Sequence, residues 1–172
     1  AGWDVWNNLD TPEKRDSILG YFDRVGFSGI KVDFLNSDTQ ERFQFRDDII
    51  KACADRKLMI SFHGATLPRG QQRTWPHIAT WEGVLGEEMY TFPRGQPTPE
   101  HNVNLCFTRN IAGSMDYTPA SFSLPGIKGF ERTTTDAHQM ALAVVFESGW
   151  QNIGASPEAL NKTRAKDFLR NL

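Results

Sequence analysis

The chain is expected to fold as an α/β protein of the (β/α)8 TIM-barrel type, present as a partial barrel of later βα units. Two observations predict this. Strand-like and helix-like segments alternate, which is how parallel sheets are built. Polar residues gather where the strand-like segments end, at Asp33 and Asn36, His63, Glu87 and Glu88, and Asp116, and in such a barrel the C-terminal strand ends carry the chemistry. Neither GxGxxG nor GxxxxGK[ST] occurs, so the nucleotide-binding branch of α/β folds has no support. A closed barrel takes eight strands and typically about 250 residues. With 172 residues and about five or six strand-like segments, residues 1–172 are expected to form one domain, a fragment of a barrel.

The elements follow in order. DVWNNLD alternates weakly and reads as a strand end. TPEKRDSILGYFDRVG reads as a helix, with Thr11 as N-cap, Pro12 at the first position and Gly26 at the end; Ile18, Leu19, Phe22 and Val25 make its apolar face. GIKVDF is a strand, DTQERFQFRDDIIKACADRK a helix capped by Asp38, and LMISFHG the next strand. After the loop ATLPRGQQRTWPH, WEGVLGEEMY is taken as a less regular strand interrupted by Gly83 and Gly86. HNVNLCFTRNIAG is helix-like, SMDYTP a short strand, SLPGIKGFERTTT a loop, and TTDAHQMALAVVFESG a buried helix capped by Asp136. QNIGASP is a last short strand, and Ser156 and Pro157 open a final helix.

Composition is that of an ordinary globular chain, 39% hydrophobic and 23% charged, with a formal net charge of −2 and no polybasic run. Nucleic acid and anionic membranes are therefore poor partners. No apolar run approaches the ~18 residues of a membrane span. Cys53 and Cys106 are far apart and outside any CxxC spacing, and read as buried free thiols. The chain begins and ends inside patterned sequence, without an initiator methionine or a signal-peptide core. A fragment is expected, with open strand edges that allow self-association.

Three carboxylates stand out: Asp33, Glu82 and Glu88. A carboxylate at the end of a buried strand is costly unless it is paired, hydrogen-bonded or metal-bound. Two that converge on one cleft are the minimum equipment of a glycosidase: one protonates the departing oxygen and the other attacks the sugar or activates water. Lys31, two residues before Asp33, shares its strand face and is a candidate to hold a sugar hydroxyl. Glu82 and Glu88 share parity, and such hard oxygen ligands suit calcium. From residue types alone, each acid also fits a cap, an ion pair or a solvated loop. Glu87 is as good a candidate as Glu88, His63 is either a site residue or a satisfied strand-end histidine, and Asp116 either binds substrate or forms a turn.

GIKVDF, FHGATLPRGQQRTWPH, WEGVLGEE, NLCFTRNIAGSMDYTPASF and VVFESGWQN, in this order, resemble glycoside hydrolase family 97, bacterial α-glucosidases and α-galactosidases. The resemblance runs from about Gly26 to Pro157. It implies an N-terminal β-sandwich, a (β/α)8 barrel and a small C-terminal β domain, of which this chain matches the later part of the barrel. In the family's inverting branch the position of Asp33 is not acidic and a glutamate follows the histidine of the ISFH strand; here Asp33 is present and Gly64 follows His63. The resemblance thus implies the retaining branch, with Asp33 as nucleophile, Glu88 as general acid/base, and Lys31, His63 and Asp116 near substrate. It implies calcium at Glu82 and Glu88, with a further ligand from the N-terminal domain. It also implies an oligosaccharide or glycoside substrate, α-galactosides ahead of α-glucosides, and a periplasmic or secreted bacterial home. The alternatives are a catalytically inactive fragment of such an enzyme and a non-catalytic carbohydrate-binding module.

Overall fold

The computed structural model describes residues 5–93, 95–122 and 132–172. They gather into two compact units, Ala1–Gly83 and Val84–Leu172. Residues 123–131 of the loop expected around SLPGIKGFERTTT lie outside the described residues. Among the described residues no helix is long and apolar enough to cross a membrane.

The first unit is built on three parallel strands, β1 (Gly29–Val32), β2 (Met59–Phe62) and β3 (Ile78–Trp81), hydrogen-bonded in that order. Helices α1 (Val5–Leu9) and α2 (Pro12–Arg24) precede β1, α3 (Gln40–Ala54) joins β1 to β2, and α4 (Gln71–Thr74) lies between β2 and β3. Thr11 caps α2 by accepting the Lys14 N–H at 3.3 Å, with Pro12 in the first turn. The expected cap of α3 is displaced by one residue. Thr39, in extended conformation, accepts the Arg42 N–H at 3.4 Å, while Asp38 stands 3.9 Å from the buried Arg46 guanidinium. Val5–Leu9 is helical, not a strand end. Val5, Trp6 and Leu9 pack on the core, and the Trp6 ring lies 4.8 Å from that of Phe45.

Sheet register sorts the side chains. Ile30 stands against Ile60, Lys31 against Ser61 and Val32 against Phe62. β3 carries a one-residue irregularity at Ala79, so Ile60 meets Ile78, Ser61 meets Thr80 and Phe62 meets Trp81. Side chains alternate across a pleated sheet. One face therefore carries Val32, Ile60, Phe62, Ile78 and Trp81, which join Leu19 of α2 and Phe45, Ile49, Ile50 and Cys53 of α3 in one core. The other face carries Lys31, Ser61 and Thr80.

The second unit holds α5 (Pro99–Phe107), α6 (Asp136–Val145), α7 (Pro157–Asn161) and α8 (Ala165–Leu169), with short 3-10 helices at Glu87–Thr91 and Arg109–Ala112. Its core is Leu105, Met115, Tyr117, Leu142 and Phe146. Three expected strands differ. WEGVLGEEMY starts on the last residue of β3 and then breaks into a loop and the 3-10 helix, because Gly83 is left-handed at φ +45°. SMDYTP forms an isolated bridge: the Met115 N–H donates to Glu147 O at 3.1 Å, and Tyr117 O accepts the Glu87 N–H at 3.0 Å. QNIGASP has no strand, although the Gly154 N–H reaches Pro119 O at 2.9 Å. Thr135, not Asp136, caps α6 by accepting the His138 N–H at 3.1 Å. Ser156 caps α7 as expected.

Both cysteines are free; Cys53 is buried and Cys106 half-buried. Burial pushes the Cys53 thiol up to about 12, so almost no thiolate is present at neutral pH. Native protein is expected to leave Cys53 unlabelled by a thiol-specific aromatic disulfide at pH 8, with labelling appearing only in denaturant. Labelling at the rate of an open thiol, read by peptide mass, would contradict the packing of α3 on the sheet.

Candidate active site

Each strand of the first unit ends in the same way. Lys31-Val32-Asp33, Ser61-Phe62-His63 and Thr80-Trp81-Glu82 are polar–apolar–polar triplets placed in register. The parallel ladder continues one residue past the strands: the His63 N–H donates to Val32 O and the Glu82 N–H to Phe62 O, each at 2.8 Å. Asp33, His63 and Glu82 therefore share the polar parity of the sheet, at the C-terminal ends of neighbouring strands. Glu82 Oε1 lies 3.4 Å from His63 Nε2, and both side chains are nearly buried. The residue after each is left-handed: Phe34 at φ +60°, Gly64 at +53° and Gly83 at +45°. Left-handed backbone in a bulky residue such as phenylalanine is rare, and strain of this kind collects at functional sites.

Asp33 is half-buried. Its Oδ1 accepts the Phe34 N–H at 2.5 Å. The turn that follows is tied to β2 by the Asn36 N–H, which donates to Gly64 O at 2.8 Å. A Cβ built on Gly64 would stand 2.7 Å from Asp33 Oδ1 and 2.7 Å from Phe34 N. Lys31, level with Ser61, is exposed, and its residue also borders a cavity of about 680 Å³ flanked by α1 and α2.

In the second unit the two adjacent acids part company. Glu88 is exposed, whereas Glu87 is 1% exposed and its carboxylate accepts from the Ser121 hydroxyl. Burial pushes the Glu87 carboxyl above the ordinary glutamate value, against the lowering effect of the Ser121 hydroxyl and the polar groups of Gln139 and Tyr117 around it. Tyr117, itself buried, donates its hydroxyl to Asn102 Oδ1 at 2.6 Å. Asp116, on the extended segment beside the 3-10 helix, is buried and accepts from Asn152 Nδ2 at 2.9 Å. Thr118 and Ala120, just after it, are left-handed at φ +61° and +67°. Asp33, His63, Glu82 and Lys31 thus lie in the first unit, and Glu88 and Asp116 in the second.

Residues 2–84, in essence the first unit, match the model of glycoside hydrolase 97. Over its whole length the chain is 41% identical to a probable retaining alpha-galactosidase of Streptomyces bingchenggensis, covering 26% of that protein. Over 83% of its length it is 31% identical to the retaining alpha-galactosidase of Bacteroides thetaiotaomicron, covering 23% of it. Among solved structures, a beta-arabinopyranosidase superposes with a TM-score of 0.81 at 31% identity, over 96% of this chain and 28% of that one. A glycoside hydrolase family 97 enzyme from Pseudoalteromonas sp. strain K8, solved with panose, gives 0.81 at 26% identity over 95% of this chain and 28% of that one. Over nearly its whole length the chain is thus similar to enzymes of glycoside hydrolase family 97. It spans about a quarter of the length of the curated relatives it matches.

Residue types alone did not single out Gly64, the buried Ser61 and Thr80, or Asn152 beneath Asp116. The signal for the first three was the triplet itself, repeated three times and twice followed by glycine. Burial separates Glu87 from Glu88, which sequence could not. Below about pH 4.5, the ordinary glutamate value, Glu87 is neutral in folded and unfolded chains alike. As pH rises from there toward its raised folded value, the unfolded chain ionises first and stability is lost. Glu87→Gln removes that loss. Urea unfolding from pH 4 to 7 is expected to show the variant gaining on the wild type as pH rises. A stability difference that is flat with pH would contradict a buried neutral carboxyl.

Proposed function

We propose that the chain is the later part of the catalytic barrel of a retaining, exo-acting α-glycosidase that removes terminal α-linked hexoses, α-galactosides ahead of α-glucosides. The observation that carries this reading is Asp33 at the C-terminal rim of β1, its carboxylate seated where only a glycine at 64 leaves room. The similarity to retaining alpha-galactosidases along the whole chain supports it. In this reading an Asp33 carboxylate oxygen bonds to the anomeric carbon as the glycosidic carbon–oxygen bond breaks. Glu88 gives its proton to the departing oxygen, then takes one from the water that displaces Asp33 and releases sugar of unchanged anomeric configuration. The exposure of Glu88 suits an acid that exchanges protons with solvent; buried Glu87 does not suit that role. Lys31, His63 and Asp116 would contact the sugar.

Glu82 presents a nearly buried, hard oxygen donor beside His63, which fits a calcium ligand. Glu82 and Glu88 would hold the ion, which when bound would fix the orientation of a sugar hydroxyl. The closed barrel belongs to the same proposal. Among the described residues β1 pairs with β2 only, and the cavity beside it, lined by Leu19, Phe22, Phe27 and Ile30, offers an apolar seat for a preceding strand. Such an edge also invites pairing with a second copy. A periplasmic or secreted site of action goes with the reading.

The test uses protein expressed from its complete reading frame and a panel of aryl α-galactoside, α-glucoside and β-arabinopyranoside. The α-galactoside is expected to turn over fastest, with the α-sugar released first by proton NMR. Asp33→Asn is expected to lower kcat by roughly 10³-fold or more, as loss of a nucleophile does. Release of the β-sugar, or activity surviving Asp33→Asn, overturns the reading. Calcium binding followed by calorimetry is expected to be lost in Glu82→Gln; unchanged binding removes Glu82 from the metal site.

A further inference from the structure

We infer that Gly64 is a positioning residue for Asp33: a side chain at 64 and an attacking carboxylate at 33 exclude one another. This rests on the reading of Asp33 as the nucleophile. A Cβ at 64 would lie 2.7 Å from Asp33 Oδ1, 2.7 Å from Phe34 N and 3.1 Å from Phe34 Cα. Real side chains do not approach so closely, so the glycine or its neighbours would have to move. The neighbours are held. The Phe34 N–H binds Asp33 Oδ1, the His63 N–H binds Val32 O on one side of the contact, and the Asn36 N–H binds Gly64 O on the other. Both Phe34 and Asn36 are already left-handed, at φ +60° and +41°, which leaves the turn little freedom to retreat. Relief needs the Asp33 carboxylate to turn away from Gly64 and Phe34 N to shift, and either movement breaks the Phe34 N–H bond that sets the carboxylate's pose.

The next strand end supplies the contrast. Gly83 follows Glu82 as Gly64 follows His63, and it too is left-handed. A Cβ there would strike only backbone, Leu67 N and Thr66 O at 2.8 Å. Gly83 thus seats a loop alone, whereas Gly64 seats a carboxylate together with the Phe34 backbone that binds it. Gly26, at φ +83°, has nothing within 4 Å of a Cβ, so left-handed backbone by itself does not produce the contact.

The experiment compares Gly64→Ala and Gly64→Asn in protein expressed from its complete reading frame. Asparagine tolerates left-handed backbone, so Gly64→Asn separates side-chain bulk from backbone preference. A fluorinated galactosyl fluoride traps the glycosyl–enzyme, whose formation at Asp33 is timed by intact-protein and peptide mass. Both variants are expected to slow trapping by about 100-fold, the scale of a misplaced reacting group. Galactose affinity by calorimetry is expected to stay within about threefold, since ground-state binding does not need the attacking pose. Trapping at the wild-type rate in Gly64→Asn overturns the inference. So does a parallel loss of trapping, galactose binding and melting temperature, which marks a role in folding only. Failure of both single variants to fold also overturns the inference, because the Phe34 backbone at 2.7 Å, rather than the carboxylate, would then carry the contact. Label on a carboxylate other than Asp33 in the wild type refutes the nucleophile reading itself, and is read separately from these outcomes.

Discussion

Pairing of Phe62 with Trp81 across β2 and β3 decides which side chains reach each face of the sheet. The extra residue at Ala79 makes that pairing. Without it Thr80 would stand against Phe62, and every later residue of β3 would change face. Trp81, wholly buried and 4.5 Å from the Phe62 ring, would leave the core, and Glu82 would turn toward it. Emptying a core site of an aromatic side chain costs on the order of 3–5 kcal/mol, and a carboxylate among Ile49, Ile50 and Ile60 would add a larger penalty. A disturbed ladder position costs about one hydrogen bond, roughly 1 kcal/mol. The irregular strand is the lower state by a wide margin, and Glu82 comes level with His63 as a result.

That register also explains why strain gathers at the strand ends. Asp33, His63 and Glu82 are held level by ladder hydrogen bonds, so the chain must turn sharply at the next residue to avoid extending the strand. Left-handed backbone makes that turn. Glycine takes it without penalty at 64 and 83, whereas Phe34 carries a cost of about 1–3 kcal/mol. The Asp33 carboxylate recovers part of that cost by accepting the Phe34 N–H, and the Asn36 N–H adds a second bond to Gly64 O. Asp33 is therefore part of the device that holds its own turn, and its pose and the backbone at 34–36 are one problem.

The alternation of strands and helices was legible because β1 and β2 lie within apolar runs bounded by turn residues, and because Thr11–Pro12 and Ser156–Pro157 mark helix starts through local chemistry. What failed had tertiary causes. Ile78-Ala79-Thr80-Trp81 is too short to declare itself beside the Pro- and Arg-rich loop, and WEGVLGEEMY drew the strand assignment because Gly83's backbone is dictated by the contact with Leu67 rather than by its neighbours in sequence. The caps of α3 and α6 shifted by one because Thr–Asp and Asp–Thr pairs offer two oxygens, and only the packing angle of the helix selects one. Asp33, His63 and Glu82 could be named from their places at strand ends, yet their shared level could not, because it depends on a bulge that no local pattern encodes.

Glu87 and Glu88 show the same division between residue type and place. On the 3-10 helix they are neighbours, and a turn of three residues sends consecutive side chains in different directions. The Glu87 N–H is tied to Tyr117 O, and its carboxyl is held by Ser121 beside the Tyr117–Asn102 hydrogen bond. With Glu87 drawn inward, Glu88 has to face outward. The buried acid therefore fixes the azimuth of the exposed one, and because burial favours its neutral form, it does so without setting a second full negative charge beside it. Two adjacent glutamates thus end in opposite settings, one drawn into the core where burial favours its protonated form and one left in solvent, within a single helical turn.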